Sequence, residues 1–290
     1  MNSEFKQVQP PEGINSSKEH PLKEFFLLLI GLLLILVVAI VALSAFAHAV
    51  APYIPFSAEQ KFANAFVNIG NKKESDSDIE IEHYLQAMAE EIAKIEQLPK
   101  DMPITVHYID ADTVNAFATL GGHVFFFRGL LEQLPNENAL WMVMAHEIAH
   151  IKHRHPIKAL GRGVMVGSAL AIVNLSIGSG VTGGALNEAG LLTVLNFSRE
   201  QELQSDETAI IALAQRYGHV KGADSLFNVL ANASEGNYQQ PDFFSSHPHT
   251  TNRIEYIYHL AEVNNWKTTG QINELPKLFD EWIKSDEHKE

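Results

Sequence analysis

The residues best suited to chemistry lie in the stretch AHEIAHIKHRH, residues 145–155, which holds four histidines and one glutamate. If this stretch is helical, His146 and His150 project from one face, one turn apart, and both imidazoles can bind one tetrahedral zinc ion. Glu147 lies beside that face and can hold a water molecule at the open fourth position. The H-E-x-x-H spacing therefore predicts two metal ligands and a general base.

The residues around this stretch favour a metal over an incidental cluster of histidines. The preceding residues, ALWMVMA, are apolar. Burying two histidines and a glutamate without partners in such a helix would cost several kcal/mol, and a metal ion would supply the partner. The alternative interpretation is a pair of core histidines satisfied by ordinary hydrogen bonds. Because the chain has no cysteine, any metal must be held by histidine and carboxylate groups.

The third ligand must come from another segment. The H-E-x-x-H-x-x-G-x-x-H class is excluded, because His153 and Pro156 stand where it needs glycine and histidine. In SREQELQSDETA, residues 198–209, Glu202 and Asp206 share a helix face. Glu202 can complete a His2Glu site, and Asp206 can accept the other N–H of a ligating histidine. Alone, this pair would indicate an exposed acidic helix face.

Two extended motifs, H-E-x-x-H-x-x-x-R-H and S-R-x-x-E-x-x-x-D, are far more specific than H-E-x-x-H. With NAFATLGGHVFFFRGLL, a small-residue-rich insert and SSHPHTTNRI, they cover most of residues 80–260. In these segments the chain resembles the membrane-associated gluzincin metallopeptidases of the HtpX, BepA and CaaX-prenyl-protease type. HtpX and the prenyl protease have several membrane spans and this chain shows one, which favours the single-anchor or envelope quality-control members.

The resemblance implies a zinc endopeptidase with one Zn2+ per chain and protein or peptide substrates. It implies the ligands His146, His150 and Glu202, the base Glu147, and Asp206 as the support of a ligand. The alternatives are an anchored chaperone or scaffold that keeps zinc as a structural element, and a helical membrane protein with incidental histidines. Retention of both motifs and of the base argues against each.

The resemblance also brings SSHPHTTNRI, residues 245–254, near the cleft. There His247 can donate a hydrogen bond to the oxyanion or occupy the zinc as a removable fourth ligand; otherwise it is an exposed turn residue. Arg253 is a second candidate for the oxyanion or for substrate positioning. His155 and the nearby His153 are not expected to bind the zinc. With Arg154, His155 is expected to tie the helix end to neighbouring loops.

The elements that must position these residues are mostly helices, which predicts an α+β, mostly α, zincin-like domain over residues 51–290. Asn136 is an N-cap for a helix from Glu137 to about His153. Glycines 121 and 122 predict a hairpin within residues 114–131. Another strand is expected at 104–109, and further helices at 79–98, 199–217, 221–234, 251–263 and 272–285.

Two segments allow two interpretations each. The strand HVFFF, residues 123–127, is either the cleft edge to which a peptide adds, or a plain core strand. Residues 161–196 are apolar and broken by glycines. They predict close helix packing, with a membrane-dipping hairpin or a mobile cover over the site as the alternative.

Residues 25–50 form an apolar run without charge from Phe25 to Ala47. The run is long enough to span a bilayer, which favours an uncleaved anchor over a core helix or a cleavable signal peptide. Residues 1–24 read as a disordered tail. Lys18 and Lys23 before the run favour a cytoplasmic N-terminus. The domain would then face the periplasm, at the inner membrane if the cell is Gram-negative.

The net charge of −14 argues against a nucleic-acid partner, because phosphate contacts need lysine and arginine.

Overall fold

The computed structural model describes residues 21–50, 53–64, 75–161, 197–228, 243, 247 and 251–286. The principal elements in these ranges are α1 Pro21–Val50, α2 Phe56–Asn64, α3 Asp76–Ile95, β1 Thr105–Ile109, β2 Ala116–Ala118, β3 His123–Phe127, α4 Arg128–Leu131, α5 Glu137–Lys152, α6 Arg199–Tyr217, α7 Thr251–Val263 and α8 Lys277–Asp286. The fold is α+β and mostly helical, as the sequence predicts.

Helix α1 is apolar along most of its length. Its segment Leu22–Leu43 has a mean hydropathy of 3.5 and none of the most apolar stretch is buried. Among the described residues it is the one helix long and apolar enough to cross a membrane. Its exposure argues against a core helix, which would be covered by protein. The helix begins at Pro21, so residues 21–24 are helical rather than part of the expected tail.

Helix α3 begins three residues earlier than predicted because Ser75 caps it. The Ser75 hydroxyl accepts the Asp78 N–H, and the Asp78 carboxylate accepts the Ser75 N–H, which forms a capping box. The apolar positions that the helical period selects, including Ile81, Leu85 and Ile92, are buried in the core.

The three strands form one sheet in the order β1-β3-β2. Strands β2 and β3 form the predicted antiparallel hairpin. Its turn contains Gly121 and Gly122, at φ 75° and 87°, a region that glycine enters without steric cost. Strand β1 pairs in parallel with β3. Strand β3 therefore has a hydrogen-bonded strand on each side, so of the two interpretations of HVFFF the cleft edge is wrong and the core strand is confirmed. Among the described residues, the edge strand beside the site is β2.

Helix α5 lies at the centre of the core. Asn136 caps it by accepting the Ala139 N–H, and every residue from 138 to 151 is buried. The helix packs against α6, α3 and β2. Polar side chains on a helix buried all round must find partners within the protein.

The C-terminal helices follow the prediction in part. Helices α6 and α7 match their expected ranges, whereas α8 begins at Lys277 rather than near 272. Of the expected helix 221–234, residues 221–224 form a turn and 225–228 are helical. The predictions for residues 1–20, 162–196 and 229–234 lie outside the described residues.

Candidate metal centre and active site

Three helical residues and one loop residue bring their polar atoms together at one point. The Nε2 atoms of His146 and His150 lie 3.0 Å apart on α5. From α6, the Glu202 carboxylate oxygens lie 3.5 Å from each of these nitrogens. His247 Nδ1 lies 3.2 Å from Glu202 Oε1 and 3.4 Å from His146 Nε2. We call these four buried residues the centre cluster.

The separations within the centre cluster suit one metal ion. Zinc bonds of about 2.0–2.1 Å in a tetrahedron place neighbouring donor atoms about 3.4 Å apart, and the contacts above span 3.0 to 3.5 Å. Glu202 Oε2 is buried and makes no hydrogen bond, and its close contact with Arg253 Nη1 at 2.8 Å lacks hydrogen-bond geometry, although a buried acceptor normally has an aligned donor. The nitrogen and oxygen atoms of the centre cluster therefore fit the ligand set of a zinc ion.

The two helical histidines of the cluster are held from behind. His146 Nδ1 lies 3.0 Å from Asp206 Oδ1, and His150 Nδ1 lies 3.0 Å from His155 Nδ1. Each ring thus turns Nε2 inward and Nδ1 toward an outer partner. Metal-ligating histidines show this arrangement, because the outer partner fixes the ring and its tautomer.

Charge is distributed unevenly over the cluster. Burial, reinforced by the neighbouring His146, holds the pKa of His150 well below its usual value. Burial also opposes protonation of His146, but the neighbouring Asp206 and Glu202 carboxylates outweigh burial and raise the pKa of His146 to about 9. Because a metal ion binds only a deprotonated imidazole nitrogen, metal binding competes with protonation more strongly at His146 than at His150.

Glu147 lies beside the cluster and is fully buried. Its Oε2 accepts the Ala118 backbone N–H at 2.7 Å, so strand β2 fixes the orientation of the carboxylate. Its Oε1 lies 3.4 Å from His247 Nε2. Burial raises the pKa of Glu147 above the usual carboxylate value. A raised pKa suits a carboxylate that accepts a proton during a reaction near neutral pH.

Arg253 reaches from α7 to two buried acidic residues of α6, Asp206 and Glu202. Its Nε and Nη2 each donate to Asp206 at 2.7 Å, and its Nη1 lies 2.8 Å from Glu202 Oε2 without hydrogen-bond geometry. Burial alone would raise the pKa of Asp206, but the charge and hydrogen bonds of Arg253 hold it below the usual value. The guanidinium therefore keeps Asp206 ionised next to His146.

A comparison with models of protein families gives the family of the chain. Residues 80–261 match the model described as Peptidase family M48, which is more than half of the chain. The chain belongs to peptidase family M48. The family resemblance drawn from the motifs is thereby confirmed.

Relatives with curated names agree with the M48 assignment. The mitochondrial metalloendopeptidase OMA1 of Schizosaccharomyces pombe is 32% identical over 175 residues, 59% of this chain and 49% of that protein. The putative beta-barrel assembly-enhancing protease of Vibrio cholerae is 28% identical over 163 residues, 52% of this chain and 33% of that protein. The beta-barrel assembly-enhancing protease of Escherichia coli is 26% identical over 214 residues, which are 63% of this chain and 44% of that protein. This M48 chain thus spans about a third to a half of the length of these relatives.

The M48 fold brings every residue singled out for the site into one buried region: His146, Glu147, His150, Glu202, Asp206, His247 and Arg253. His153 instead faces Thr208, with its Nε2 2.8 Å from the hydroxyl. Arg154 ties the end of α5 to residues 54–59, as expected. His155 instead contacts two helices, with His150 of α5 and Gln204 of α6 each 3.0 Å away, rather than a neighbouring loop.

Two contributors to the M48 site escape sequence reasoning. One is the Ala118 backbone N–H, which carries no residue-type signal. The other is Glu59, which contacts Arg154 from 95 positions away in sequence. The arginine of the extended motif indicates that position 154 needs a partner, but nothing in the sequence indicates which one.

Proposed function

We propose that this chain is a membrane-anchored zinc endopeptidase that hydrolyses peptide bonds of proteins. The observation that carries the proposal is the convergence of His146, His150 and Glu202 beside a separately held Glu147. Two imidazoles and a carboxylate leave one position free on a tetrahedral zinc ion, as in catalytic zinc sites. A purely structural zinc site has no need of a second, oriented carboxylate that does not bind the ion.

When bound, zinc would polarise the scissile carbonyl and make a water molecule more acidic. His146, His150 and Glu202 hold the ion, and Asp206 orients His146. Glu147 takes the proton from the attacking water through Oε1, since its Oε2 is held by the Ala118 N–H. It then passes that proton to the nitrogen of the leaving amine, because the amine must be protonated to leave.

His247 and Arg253 support this reaction in different ways. His247 stands next to both the ligands and Glu147, so it acts either as a hydrogen-bond donor to the oxyanion or as a removable fourth ligand. Arg253 orients Asp206 and Glu202, because three of its nitrogens already face those carboxylates. This positioning role replaces direct contact with the oxyanion as our interpretation of Arg253.

The substrates we propose are misfolded or unassembled proteins of the cell envelope. Support comes from the candidate span found among the described residues and from the relatives named as beta-barrel assembly-enhancing proteases. The N-terminus would lie in the cytoplasm, as Lys18 and Lys23 favour. A reporter that is active only outside the cytoplasm should then work when fused after Glu290. Activity of a cytoplasm-only reporter would reject this orientation, and a mature chain starting near His48 would indicate a cleaved signal peptide.

The reaction is tested with the full-length chain in detergent and casein as an unstructured substrate. We expect about one zinc per chain, cleavage that a chelator abolishes, and restoration by added zinc. Glu147→Gln should keep the zinc and lose cleavage by a factor of about 10² to 10⁴, the usual range for a general base. Glu137→Gln, a carboxylate-to-amide change at the other end of α5, is the matched control and should cleave normally. Full activity of Glu147→Gln would remove the base from this scheme.

A further inference from the structure

The short helix α2, which follows α1 closely in the chain, reaches the back of the candidate site. Glu59 on this helix is only 3% exposed. Its Oε1 accepts the Gly121 N–H at 3.1 Å, and its Oε2 accepts two bonds from Arg154, at 3.1 Å from Nε and 2.7 Å from Nη2. One carboxylate is therefore bonded both to the β2–β3 turn and to the end of α5.

The first of these bonds leads to the general base. Gly121 lies in the turn that directly follows β2, and this turn packs so closely on α2 that a Cβ at Gly121 would come within 2.8 Å of the Ala63 Cβ. Strand β2 ends at Ala118, whose N–H holds Glu147 Oε2. A displacement of the turn would change the direction of that N–H, and with it the position of Glu147.

The second bond leads to a metal ligand. Arg154 has φ 58°, a left-handed backbone conformation that costs free energy for a residue other than glycine. Arg154 lies in the turn between the end of α5 and the helical residues 155–161. Arg154 Nη2 also donates to the Ile54 carbonyl at 2.9 Å, and the guanidinium lies over the Phe56 ring. After this turn, His155 Nδ1 lies 3.0 Å from His150 Nδ1.

We propose that Glu59 is a positioning residue for the peptidase reaction. Its bond to Gly121 fixes the strand that holds Glu147. Its bonds to Arg154 fix the turn that places His155 behind His150. The helix next to the candidate membrane span is thereby part of the catalytic apparatus. This inference rests on the proposed function, because it assigns Glu59 to the reaction described above.

Two physical features separate this role from ordinary packing. The carboxylate and the guanidinium are both largely buried, with side-chain exposures of 2% and 10%. Removing one partner leaves the other charge uncompensated, and the guanidinium would be drawn toward another acceptor. Moreover, both elements that would move end at polar groups contacting Glu147 or His150, rather than at apolar core side chains.

The test compares zinc binding, kcat, KM and melting temperature of the full-length chain with those of Glu59→Gln, Arg154→Gln and the double variant. We expect each single variant to lower kcat at least tenfold with KM within about twofold, and to weaken zinc binding about 10- to 100-fold, as loss of an outer support does. Because both changes break the same ion pair, the double variant should lose less kcat than the product of the two single losses.

The matched control is Asp78→Asn, which alters a buried, hydrogen-bonded carboxylate remote from the site. Assayed well below its melting temperature, it should retain wild-type kcat and zinc affinity. Wild-type kcat and zinc affinity in Glu59→Gln would overturn the proposal, as would a kcat loss no larger than that of Asp78→Asn.

A second variant covers the case in which Glu59→Gln does not fold. Glu59→Asp keeps the charge but is one methylene shorter, so it cannot reach both Gly121 and Arg154. We expect it to fold and to lower kcat about threefold or more at unchanged KM; wild-type kcat would overturn the positioning role. A wild-type chain that neither cleaves casein nor binds zinc overturns the proposed function instead, so the two failures are distinguishable.

Discussion

Two buried polar clusters of this protein differ in how completely their atoms are paired. In the cap of α3, Asp78 accepts the Ser75 N–H through Oδ2 and the Trp282 indole N–H, 3.2 Å away, through Oδ1. In the centre cluster, by contrast, His247 Nε2 is buried without a hydrogen-bond partner, and Glu202 Oε2 has an ion pair with Arg253 at 2.8 Å but no hydrogen bond. The neighbouring Glu147 Oε1 is also without one.

This difference distinguishes two kinds of polar cluster. One holds secondary-structure elements together, and the other can bind a ligand and take part in a reaction. A buried carboxylate with both oxygens bonded stabilises the fold and has no capacity left for a ligand. Atoms that face one another across about 3.5 Å without a hydrogen bond keep that capacity, at a cost in folding free energy. Changes in the two clusters should therefore have different consequences.

The largest effect is expected from Glu202→Ala. Because this change removes one of three proposed ligands and leaves Arg253 beside an emptied position, the chain should lose zinc or bind it far more weakly, and cleavage should fall to background. Zinc content and casein cleavage measure this. Glu200→Ala, an exposed change on the same helix, is the control. Unchanged zinc affinity in Glu202→Ala would assign the third ligand to another residue.

His247→Ala should have the next largest effect, and its sign tells the two roles apart. If His247 donates to the oxyanion, kcat should fall about 10²- to 10³-fold at nearly unchanged zinc affinity. If it is a removable fourth ligand, kcat should rise and zinc should leave faster, because a ligand is lost and the water position is freed.

Kcat and the zinc release rate of this one variant distinguish the outcomes. His259→Ala, an exposed histidine on α7, serves as the control. Wild-type values of both quantities in His247→Ala would remove His247 from the site.

Asp78→Asn should act on stability alone. An amide at this position can accept one of the two hydrogen bonds but presents an N–H group to the other donor, which should cost about 1–3 kcal/mol of unfolding free energy. Denaturant titration measures the loss, and zinc content should stay at the wild-type level. Loss of zinc in this variant would contradict the separation of the two clusters.

The smallest effect is expected from Glu96→Gln, as a change in pH dependence. Both carboxylate oxygens of Glu96 are buried without hydrogen bonds, and burial raises its pKa to about 8. The folded chain thus holds this proton while the unfolded chain releases it near pH 4.5, so the stability contribution is full below pH 4.5 and is lost as the pH rises to about 8.

The amide cannot ionise, so Glu96→Gln should flatten this decline, which is at most about 1.4 kcal/mol per pH unit. Melting temperatures between pH 5 and pH 8 measure the slope. An identical slope in both proteins would mean that ionisation of Glu96 does not cause the decline in stability.

Much of the site could be predicted because its chemistry is local in sequence. His146, Glu147 and His150 lie within one helical turn, and Glu202 and Asp206 within another. The helical period of 3.6 residues fixes which of them share a face once the segment is a helix. The hairpin followed equally from Gly121 and Gly122, since few other residues accept the backbone angles of such a turn.

The position of HVFFF within the sheet could not be predicted in this way. A run of apolar residues marks a buried strand but does not tell which strands pair with it. Strand β3 is central only because it also pairs in parallel with β1, a strand that precedes the hairpin in the chain.

The sequence by itself thus carried the motifs of the family resemblance. It also determined the helical character of the domain and the helix faces that carry His146, His150 and Glu202, because short-range periodicity and residue chemistry decide these. Tertiary structure alone decided that Ala118 donates to Glu147, that Arg253 holds Asp206, and that Glu59 joins two distant elements. These contacts depend on backbone groups and on partners 29 to 95 positions apart. Which of many chemically equivalent partners meet is settled only when the whole core packs.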